Sequence, residues 1–499
     1  MGGVGDVVRD LPVALAETGW STTVATPSYG SFHKLDGAER VASFDARFRG
    51  ERRSIDAWVV PGANDGVCNL VFDHPDFAAQ GAGVIYYGDG PDRPFASDAG
   101  KFALFCAAAA AWVEQTVRKP DVVHLHDWHA ALYLPLIRFD ERFAAARRIP
   151  TVFTIHNLSY QGTRPLRGDE SSFESWFPGL QADPLAIADP DYDNCINPMA
   201  SAIRLADRVS TVSATYADEI CRASDPAAGF IGGEGLETLL ADVRDEGRLY
   251  GILNGCEYDA PRTRRPGWMR VLGMAEAQLH DWQRRDPSNE AHTLALQRIA
   301  SFPRRRPVHV LTSIGRLVAQ KATLLLHETE TDESPLQRLS QTLGRQAATI
   351  VLGSGEPRFE EQLLEIAQDC PNVLFLNGYS ELLAEPLYAA GDLFLMPSSF
   401  EPCGISQMLA MRNGQPCVVH GVGGLRDTVE HGATGFVFGG ASRDEQADAF
   451  VSTTLAALGR RADDPVAWKA LRRRAGAQRF SWALSAGRTA RELYGMPND

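Results

Sequence analysis

The sequence lacks the features that mark several classes of protein. Its eight cysteines are scattered through 499 residues and no two of them form a Cys-x-x-C pair, so the signatures of zinc sites and dithiol redox sites are missing. Isolated cysteines of this kind are typical of a reducing compartment, and we expect a cytoplasmic protein. No apolar run reaches the ~20 residues of a membrane span. The longest, residues 102–113, predicts a buried helix instead.

Basic residues are fewer than acidic residues in this sequence. There are 49 lysines and arginines against 63 aspartates and glutamates, which gives a net charge of −14. This balance argues against nonspecific binding to nucleic acid or to an anionic membrane, although a local basic cleft for a small anion remains compatible with it. The apolar content of 44% is that of a globular protein. A chain of this length predicts two α/β domains of about 200–250 residues each.

The most informative stretch is residues 393–428. Residues 393–397 predict a buried parallel strand, and Glu401 follows in a turn. Residues 416–419 predict the next strand, and a glycine turn at 421–424 opens another helix. Successive strand-to-helix turns at one sheet edge are where open α/β sheets bind ligands. A carboxylate in one turn and anion-binding amides in the other suit a sugar nucleotide; the alternative is a surface glutamate beside ordinary turns.

Further polar side chains follow predicted strands elsewhere. Residues 308–314 predict a strand, and Arg316 and Lys321 come next at a spacing that lets both cations reach one diphosphate. In the first half of the chain, residues 120–129 and 150–157 each predict a strand that runs into a polar cluster. The carboxyl ends of parallel strands share one sheet edge, so we expect these clusters at a functional edge.

Histidines in the first of these clusters raise the question of a metal site. On a strand, His124 and His126 share one face while Asp127 points to the other, and no further Cys/His cluster completes a ligand set. We therefore predict no metal, and we interpret His124 as a core histidine with hydrogen-bond partners.

The first half also carries secondary-structure expectations. Residues 40–90 alternate in a β-rich manner, most clearly at 57–60, 69–72 and 84–87, and residues 98–118 predict a long helix. Near the start, residues 1–8 predict a glycine turn that enters a helix.

Taken together, these motifs resemble the glycogen/starch synthase family, which comprises retaining glycosyltransferases of the GT-B fold. The resemblance rests on Glu401-Pro402-Cys403-Gly404 with Gln407, on Gly423-Gly424-Leu425 with Asp427-Thr428, on the Gly-Arg-Leu-x-x-x-Lys pattern of Arg316 and Lys321, and on His-Asp-Trp-His and Thr-Ile-His-Asn in the first half. It covers nearly the whole chain, with the motifs in family order.

The resemblance implies an α/β protein with two Rossmann-like domains facing a deep interdomain cleft. The domains implied are residues 1–252, which lie on the acceptor side, and residues 253–478, which bind the nucleotide sugar. In residues 479–499 a terminal helix is expected to pack back on the first domain.

The resemblance also implies roles for individual residues. Asp127 is expected beside the acceptor and the reacting carbon, and His156 in contact with the donor glucose. The implied catalytic residues are Glu401, Asp127, His156, Arg316 and Lys321. The implied substrate-binding residues are Gly2, Gly3, Gly5, Asp6, Asn157, Asn254, Cys403, Gly404, Gly423, Gly424, Leu425 and Thr428.

The activity implied is that of a retaining glucosyltransferase that extends an α-1,4-glucan such as glycogen. The expected donor is ADP-glucose, with UDP-glucose as the other possibility, and no metal or other cofactor is expected because fixed cations replace the metal. Nucleic acid and membrane are not expected as partners. Two alternatives stay open: a related GT-B transferase with another donor or acceptor, and a truncated, non-catalytic glucan-binding homologue.

The chain departs from the family pattern in two places. The family has a strand and a lysine-containing loop before the motif that corresponds to Gly2–Asp6, and here Met1 stands in their place. We expect either that the natural start lies upstream or that this is a truncated form. After Asn254 the chain continues with Cys256-Glu257-Tyr258, which differs from the family pattern and affects the expected donor more than the reaction type.

Overall fold

The computed structural model describes residues 3–62, 66–90, 93–258, 264–328 and 333–495. Gly2, one of the predicted substrate-binding residues, lies outside them. The chain divides into two compact units. The first unit comprises Met1–Ala223, Gly232–Gly255 and Trp482–Asp499, and the second unit comprises Ser224–Ile231 and Cys256–Ser481. Both units have the predicted α/β character.

The first unit contains nine α-helices and ten strands before residue 256, counted over the described ranges. The helices are α1 (Gly3–Glu17), α2 (Ala96–Gln115), α3 (Asp127–Ala131), α4 (Tyr133–Phe139), α5 (Phe173–Trp176), α6 (Pro184–Ile187), α7 (Pro198–Leu205), α8 (Ala214–Glu219) and α9 (Glu237–Asp245). The strands are β1 (Thr22–Pro27), β2 (Glu39–Phe48), β3 (Glu51–Val60), β4 (Val67–Asp73), β5 (Val123–His126), β6 (Thr151–Ile155), β7 (Arg164–Pro165), β8 (Cys195–Ile196), β9 (Arg208–Thr211) and β10 (Leu249–Gly251).

Two four-stranded sheets organise this unit. One has the order β1-β4-β3-β2, with β1 and β4 parallel and the other pairs antiparallel. The second has the order β10-β9-β6-β5 and is parallel throughout. In its register His126 pairs with Thr154, so β5 and β6 end side by side. The polar clusters after these two strands are therefore neighbours, as the sequence predicted.

One expected strand is absent. Residues 84–87 form neither a strand nor a helix, although their apolar and aromatic character predicts β structure. The reason is local: the backbone N–H of Tyr87 donates to the carboxylate of Asp98 in α2, at 3.1 Å to Oδ2, instead of to a neighbouring strand. The Asp98 carboxylate thus accepts the hydrogen bond that a neighbouring strand would otherwise accept.

The second unit is built on a six-stranded sheet in which every pairing is parallel. Its helices are α10 (Trp268–Arg285), α11 (Glu290–Ser301), α12 (Ala319–Leu326), α13 (Pro335–Leu343), α14 (Pro357–Asp369), α15 (Glu381–Ala390), α16 (Ser406–Arg412), α17 (Gly423–Thr428), α18 (Arg443–Asp463) and α19 (Pro465–Ala475). Its strands are β11 (His309–Ile314), β12 (Ala347–Gly353), β13 (Val373–Asn377), β14 (Leu393–Met396), β15 (Cys417–His420) and β16 (Phe436–Phe438).

The strand order of this sheet locates a binding position. The order is β13-β12-β11-β14-β15-β16, which is the Rossmann order 3-2-1-4-5-6. The chain winds away in opposite directions from β11 and β14, so their carboxyl ends border the topological switch point where such sheets bind ligands. Arg316 follows β11 and Glu401 follows β14.

The end of the chain returns to the first unit. Helix α20 (Trp482–Arg488) continues as a π-helical turn, Thr489–Leu493. Ala486 and Ala490 pack against the buried face of α1, and Tyr494 contacts the ring of Trp20 with centroids 5.0 Å apart. No helix within the described ranges is both long and apolar enough to cross a membrane.

Candidate active site

The switch point of the second unit brings two predicted catalytic residues into contact. The Nζ atom of Lys321 in α12 lies 3.0 Å from Oε2 of Glu401. The hydroxyl of Ser398 donates to the same oxygen, also at 3.0 Å. Glu401 is only 6% exposed, so its carboxylate is held by a cation and a hydroxyl. Within the described ranges, no group hydrogen-bonds to its other carboxylate oxygen, Oε1.

The loop that carries Glu401 is fixed to its neighbours on both sides. The side-chain amide of Gln320 donates to the carbonyl of Phe400 at 3.1 Å, and the N–H of Ser399 donates to the carbonyl of Gln320 at 2.8 Å. On the other side, Nδ1 of His420 lies 3.0 Å from the carbonyl oxygen of Ser398. These bonds tie the loop to α12 and to the end of β15, so Glu401 has a defined position.

The glycine turn at Gly423 and Gly424 packs directly on this loop. A Cβ atom on Gly423 would lie 2.0 Å from the carbonyl oxygen of Glu401, and one on Gly424 would lie 2.2 Å from that of Cys403. Gly423 also has a φ of +41°, which favours glycine. The N–H of Gly424 donates to the Glu401 carbonyl at 3.0 Å. This amide, one of those expected to bind phosphate, therefore already has an acceptor within the protein.

Gln407 joins the two turns, a role that the sequence did not assign to it. Its side-chain nitrogen lies 2.9 Å from the carbonyl oxygen of Gly404, 3.2 Å from that of Cys403 and 3.1 Å from the hydroxyl of Thr428. Thr428 in turn donates to the Gly424 carbonyl at 2.7 Å. Gln407 is completely buried. A glutamine among the apolar residues at the start of α16 was the available signal.

Arg316 stands apart from these contacts. Its side chain is exposed, and it lines a small cavity together with Lys321 and Ser398 at the ends of β11 and β14. An exposed guanidinium beside an ammonium and a fixed carboxylate offers two cations to a diphosphate and an acceptor to sugar hydroxyls.

The first unit places Asp127 and His156 together. Asp127 begins α3 directly after β5, and its Oδ1 accepts a hydrogen bond from the backbone N–H of His156 at 2.7 Å. The φ of Asp127 is +53°, an uncommon conformation that concentrates at functional sites. Burial raises the pKa of the carboxyl to about 7, even though backbone hydrogen bonds from His156 and Asn157 oppose the shift.

The neighbouring histidines form a neutral network. Nδ1 of His126 lies 3.0 Å from Nε2 of His156, and the rings of His124 and His126 stack with centroids 4.3 Å apart. As predicted, His124 has partners on both nitrogens, Tyr494 at 2.8 Å and Thr154 at 2.6 Å. Burial lowers the pKa of His126 to about 4 and the pKa of His156 well below its ordinary value. Among the described residues, no group of three or more His, Cys, Asp or Glu side chains could hold a metal ion.

A set of aromatic side chains beside Asp127 was not predicted. Tyr86 and Tyr160 are 56% and 55% exposed. Edge or tilted ring contacts connect them through His129, Trp128 and Phe95, with centroids between 4.5 and 6.0 Å apart. We call these five residues the aromatic platform. Tyr86 lies in the stretch expected to be a strand, which is why the sequence did not indicate its exposure.

The remaining predicted residues of the first unit lie on several elements. Gly3, Gly5 and Asp6 form the first turn of α1 and not a glycine turn ahead of it, and Asp6 pairs with Arg9 at 3.2 Å. Asn157 is half-buried and accepts from the N–H of Ser159 at 3.0 Å. Asn254 is buried in the segment after β10, and Leu425 is completely buried in α17.

Known proteins match this chain over nearly all of its length. The family model described as the starch synthase catalytic domain matches residues 1–242, and that of glycosyl transferases group 1 matches residues 308–456. A glycogen synthase of Streptococcus sanguinis is 33% identical over 99% of this chain and 96% of its own length. A glycogen synthase of an Anaeromyxobacter species is 34% identical over 97% of this chain and 94% of its own length.

This chain belongs to the glycogen/starch synthase family. Its fold agrees with that of a solved member, the catalytic domain of starch synthase IV from Arabidopsis thaliana bound to ADP and acarbose. The TM-score is 0.75 and the identity 28%, over 99% of this chain and 95% of that one. The predicted family, the GT-B fold with Rossmann-like domains and the class of enzyme, a glycosyltransferase, are confirmed.

Proposed function

We propose that this protein transfers glucose from a nucleoside-diphosphate glucose to the 4-hydroxyl at the non-reducing end of an α-1,4-glucan, with retention of configuration. The single observation that carries the proposal is the Lys321–Glu401 contact of 3.0 Å at the switch point of the second unit. A cation for phosphate and a carboxylate for hydroxyls meet where Rossmann sheets bind nucleotides. The glycogen synthases among the relatives support the glucan, and the ADP in the starch synthase structure supports ADP-glucose as donor.

The second unit is proposed to hold the donor. Arg316 and Lys321 neutralise the diphosphate, most strongly in the transition state, when negative charge builds up on the leaving nucleotide. These fixed cations take the place of a divalent metal. Glu401 accepts hydrogen bonds from the 3- and 4-hydroxyls of the glucose, with the backbone of Cys403 and Gly404 beside it. Gln407 fixes this arrangement without touching the sugar.

The reaction is proposed to proceed on one face of the sugar. The bond between C1 and the diphosphate oxygen breaks through an oxocarbenium-like state while the acceptor 4-hydroxyl attacks C1 from the same side. The departing diphosphate oxygen takes the proton of that hydroxyl. The part of Arg316 and Lys321 is to stabilise the charge that the diphosphate carries away.

The first unit is proposed to contact the sugars. His156 and Asp127 offer neutral or weakly ionised groups to the donor glucose and to the acceptor. The glucan is proposed to lie against the two exposed rings of the aromatic platform, Tyr86 and Tyr160, because such rings pack against the apolar faces of sugars while their polar edges remain available to hydroxyls. Asn157, Asn254, Gly3, Gly5 and Asp6 remain proposed donor contacts on the basis of the family resemblance.

The test is a glucan-elongation assay with purified full-length protein. We expect ADP-glucose to lengthen glycogen chains through new α-1,4 linkages, UDP-glucose to do so more slowly, and neither to react when glycogen is omitted. The same protein with Lys321→Ala serves as the control for contaminating activity. Absence of elongation from both donors would overturn the proposal.

A further inference from the structure

A buried ion pair in α2 lies outside the residues that carry the proposed reaction. The Nζ atom of Lys101 is 2.8 Å from Oδ1 of Asp98, and the two side chains are 1% and 0% exposed. Burial is the largest influence on both groups: it lowers the pKa of the Lys101 ammonium and raises the pKa of the Asp98 carboxyl. Asp98 and Lys101 are therefore buried in surroundings that favour the neutral form of each side chain.

A buried ion pair is by itself weak evidence of a gain in stability. The cost of removing two charges from water often equals or exceeds what their attraction returns, and apolar residues of similar size can replace a buried pair without loss. A role in holding one particular conformation is the other use of such pairs. The contacts of Asp98 and Lys101 show which conformation they hold.

Both members of the pair hold the irregular segment at 84–87. The carboxylate of Asp98 accepts from the backbone N–H of Tyr87 through its two oxygens, at 3.2 and 3.1 Å. The ammonium of Lys101 donates to the carbonyl of Ile85 and lies 3.8 Å from the centre of the Tyr87 ring. Ile85 and Tyr87 are the residues on either side of Tyr86, so the pair fixes the backbone from which Tyr86 projects.

Tyr86 links this segment to the aromatic platform. Its hydroxyl lies 2.9 Å from Nε2 of His129. His129 in turn packs edge-on against Phe102, the residue after Lys101, with centroids 4.7 Å apart. Burial, with a smaller contribution from the charge of Lys101, lowers the pKa of His129 to about 3. The ring that Tyr86 contacts is therefore neutral at neutral pH.

We propose that Asp98 and Lys101 are positioning residues for the glucan acceptor, which keep Tyr86 in the aromatic platform by fixing Ile85 and Tyr87. The inference rests on the proposed function, because the glucan is the ligand that the platform is proposed to bind. Neither side chain touches the sugar, and their effect on it is carried by the backbone of the segment.

The main test compares Lys101→Met with the wild-type enzyme. We expect the KM for glycogen to rise about tenfold, because a displaced Tyr86 ring loses its packing contact with the sugar. The kcat at saturating glycogen and the KM for ADP-glucose should change by less than about twofold, which is the pattern of a lost binding contact. Tyr86→Ala should raise the KM for glycogen by a similar factor.

The matched control is Lys119→Met. Lys119 lies just beyond the carboxyl end of the same helix and its ammonium also donates to backbone carbonyls, those of Val113 and Glu114. It holds no part of the platform, so its loss should leave the KM for glycogen unchanged.

A second measurement does not depend on activity. Hydrogen exchange followed by mass spectrometry should show faster exchange at residues 84–90 in Lys101→Met and in Asp98→Asn, since the N–H of Tyr87 then loses a charged acceptor or a fixed one. Asp98→Asn keeps the size of the side chain. If Lys101→Met does not fold, Asp98→Asn tests the same expected rise in the KM for glycogen.

The proposal would be overturned by exchange at residues 84–90 that stays at the wild-type rate, or by faster exchange there with an unchanged KM for glycogen. A fall in kcat and thermal stability without a change in that KM would make the pair merely structural, which also contradicts it. If the wild-type enzyme elongates no glucan, the proposed function fails separately, whereas the exchange result still reports on whether the pair holds the segment.

Discussion

The two units present opposite electrostatic surroundings to their functional side chains. In the second unit, Arg316 is exposed to water and Lys321 lies 3.0 Å from Glu401, so each cation has water or a carboxylate as its partner. In the first unit, burial raises the pKa of Asp127 to about 7 and lowers that of His126 to about 4. The functional cations of the second unit thus have a partner or water, whereas burial in the first unit favours the neutral forms of Asp127 and His126.

The difference follows from where the side chains lie in each sheet. The cations of the second unit lie at the carboxyl ends of β11 and β14, where Arg316 is exposed and Lys321 is paired with Glu401. The polar residues after β5 and β6 instead bond to one another and to the backbone, away from water. Desolvation disfavours the charged form of a group. A charged diphosphate suits the first kind of surrounding, and sugar hydroxyls suit the second.

The largest effect on the comparison between the two units is expected from Glu401→Ala. Loss of the carboxylate that Lys321 and Ser398 hold in place should lower kcat about 10³-fold, the magnitude known for a fixed polar group that acts on the transition state. The melting temperature should change far less than the rate. Steady-state kinetics and thermal unfolding of the same preparation measure both.

Glu385→Ala is the matched control for this substitution. Glu385 belongs to the same unit and pairs with Arg412 at 2.6 Å, yet it lies in α15 and outside the switch point. It should leave kcat close to the wild-type value. Comparable losses of folding and turnover in Glu401→Ala would make Glu401 structural and contradict its proposed role.

A smaller effect is expected from Arg316→Gln. Because the guanidinium is exposed, the free energy of unfolding should scarcely change, while kcat/KM for ADP-glucose should fall about 10²-fold as one cation is lost from the diphosphate. Arg358→Gln is the control, since Arg358 lies in the first turn of α14 in the same unit and its charge is paired with Glu356 at 2.8 Å. An unchanged kcat/KM in Arg316→Gln would remove Arg316 from the proposed donor site.

The last prediction concerns the Asp127 carboxyl of the first unit, whose ionisation burial disfavours. The Asp127 carboxyl has a pKa of about 7 in the folded protein against an ordinary value of 3.8, so between these values the folded state binds more protons than the unfolded state. The contribution of Asp127 to the unfolding free energy should therefore fall as pH rises through this range, by up to about 1.4 kcal/mol per pH unit. In Asp127→Asn this contribution disappears, and urea titrations at about pH 5, 6 and 7 measure the difference.

Asp169→Asn provides the contrast for this measurement. Hydrogen bonds from the hydroxyl and backbone N–H of Ser171 help lower the pKa of Asp169 to about 2, so its stabilising contribution is constant in that pH range and its removal should not alter the slope. A wild-type slope equal to that of Asp127→Asn would show that Asp127 is ionised throughout and that the two units do not differ in the way described.

Much of the arrangement could be predicted from residues close together in the chain. The strand before Asp127 and the strand before His156 were predicted because short apolar runs end there in polar clusters. The helix expected at 98–118 begins two residues earlier and ends three residues earlier, at Ala96–Gln115. The segment at 84–87 was predicted wrongly, since its apolar pattern fits a strand and only Asp98 in the folded protein supplies a different partner for Tyr87.

The amino-acid sequence specifies which chemical groups this protein has and in what order its strands and turns present them. Which of these groups come into contact depends on the folded arrangement of the strands. Lys321 and Glu401, 80 residues apart, are in contact because β11 and β14 are neighbours in the sheet. The raised pKa of Asp127 has the same kind of origin, because burial depends on every chain segment that covers the carboxyl and no local pattern encodes it.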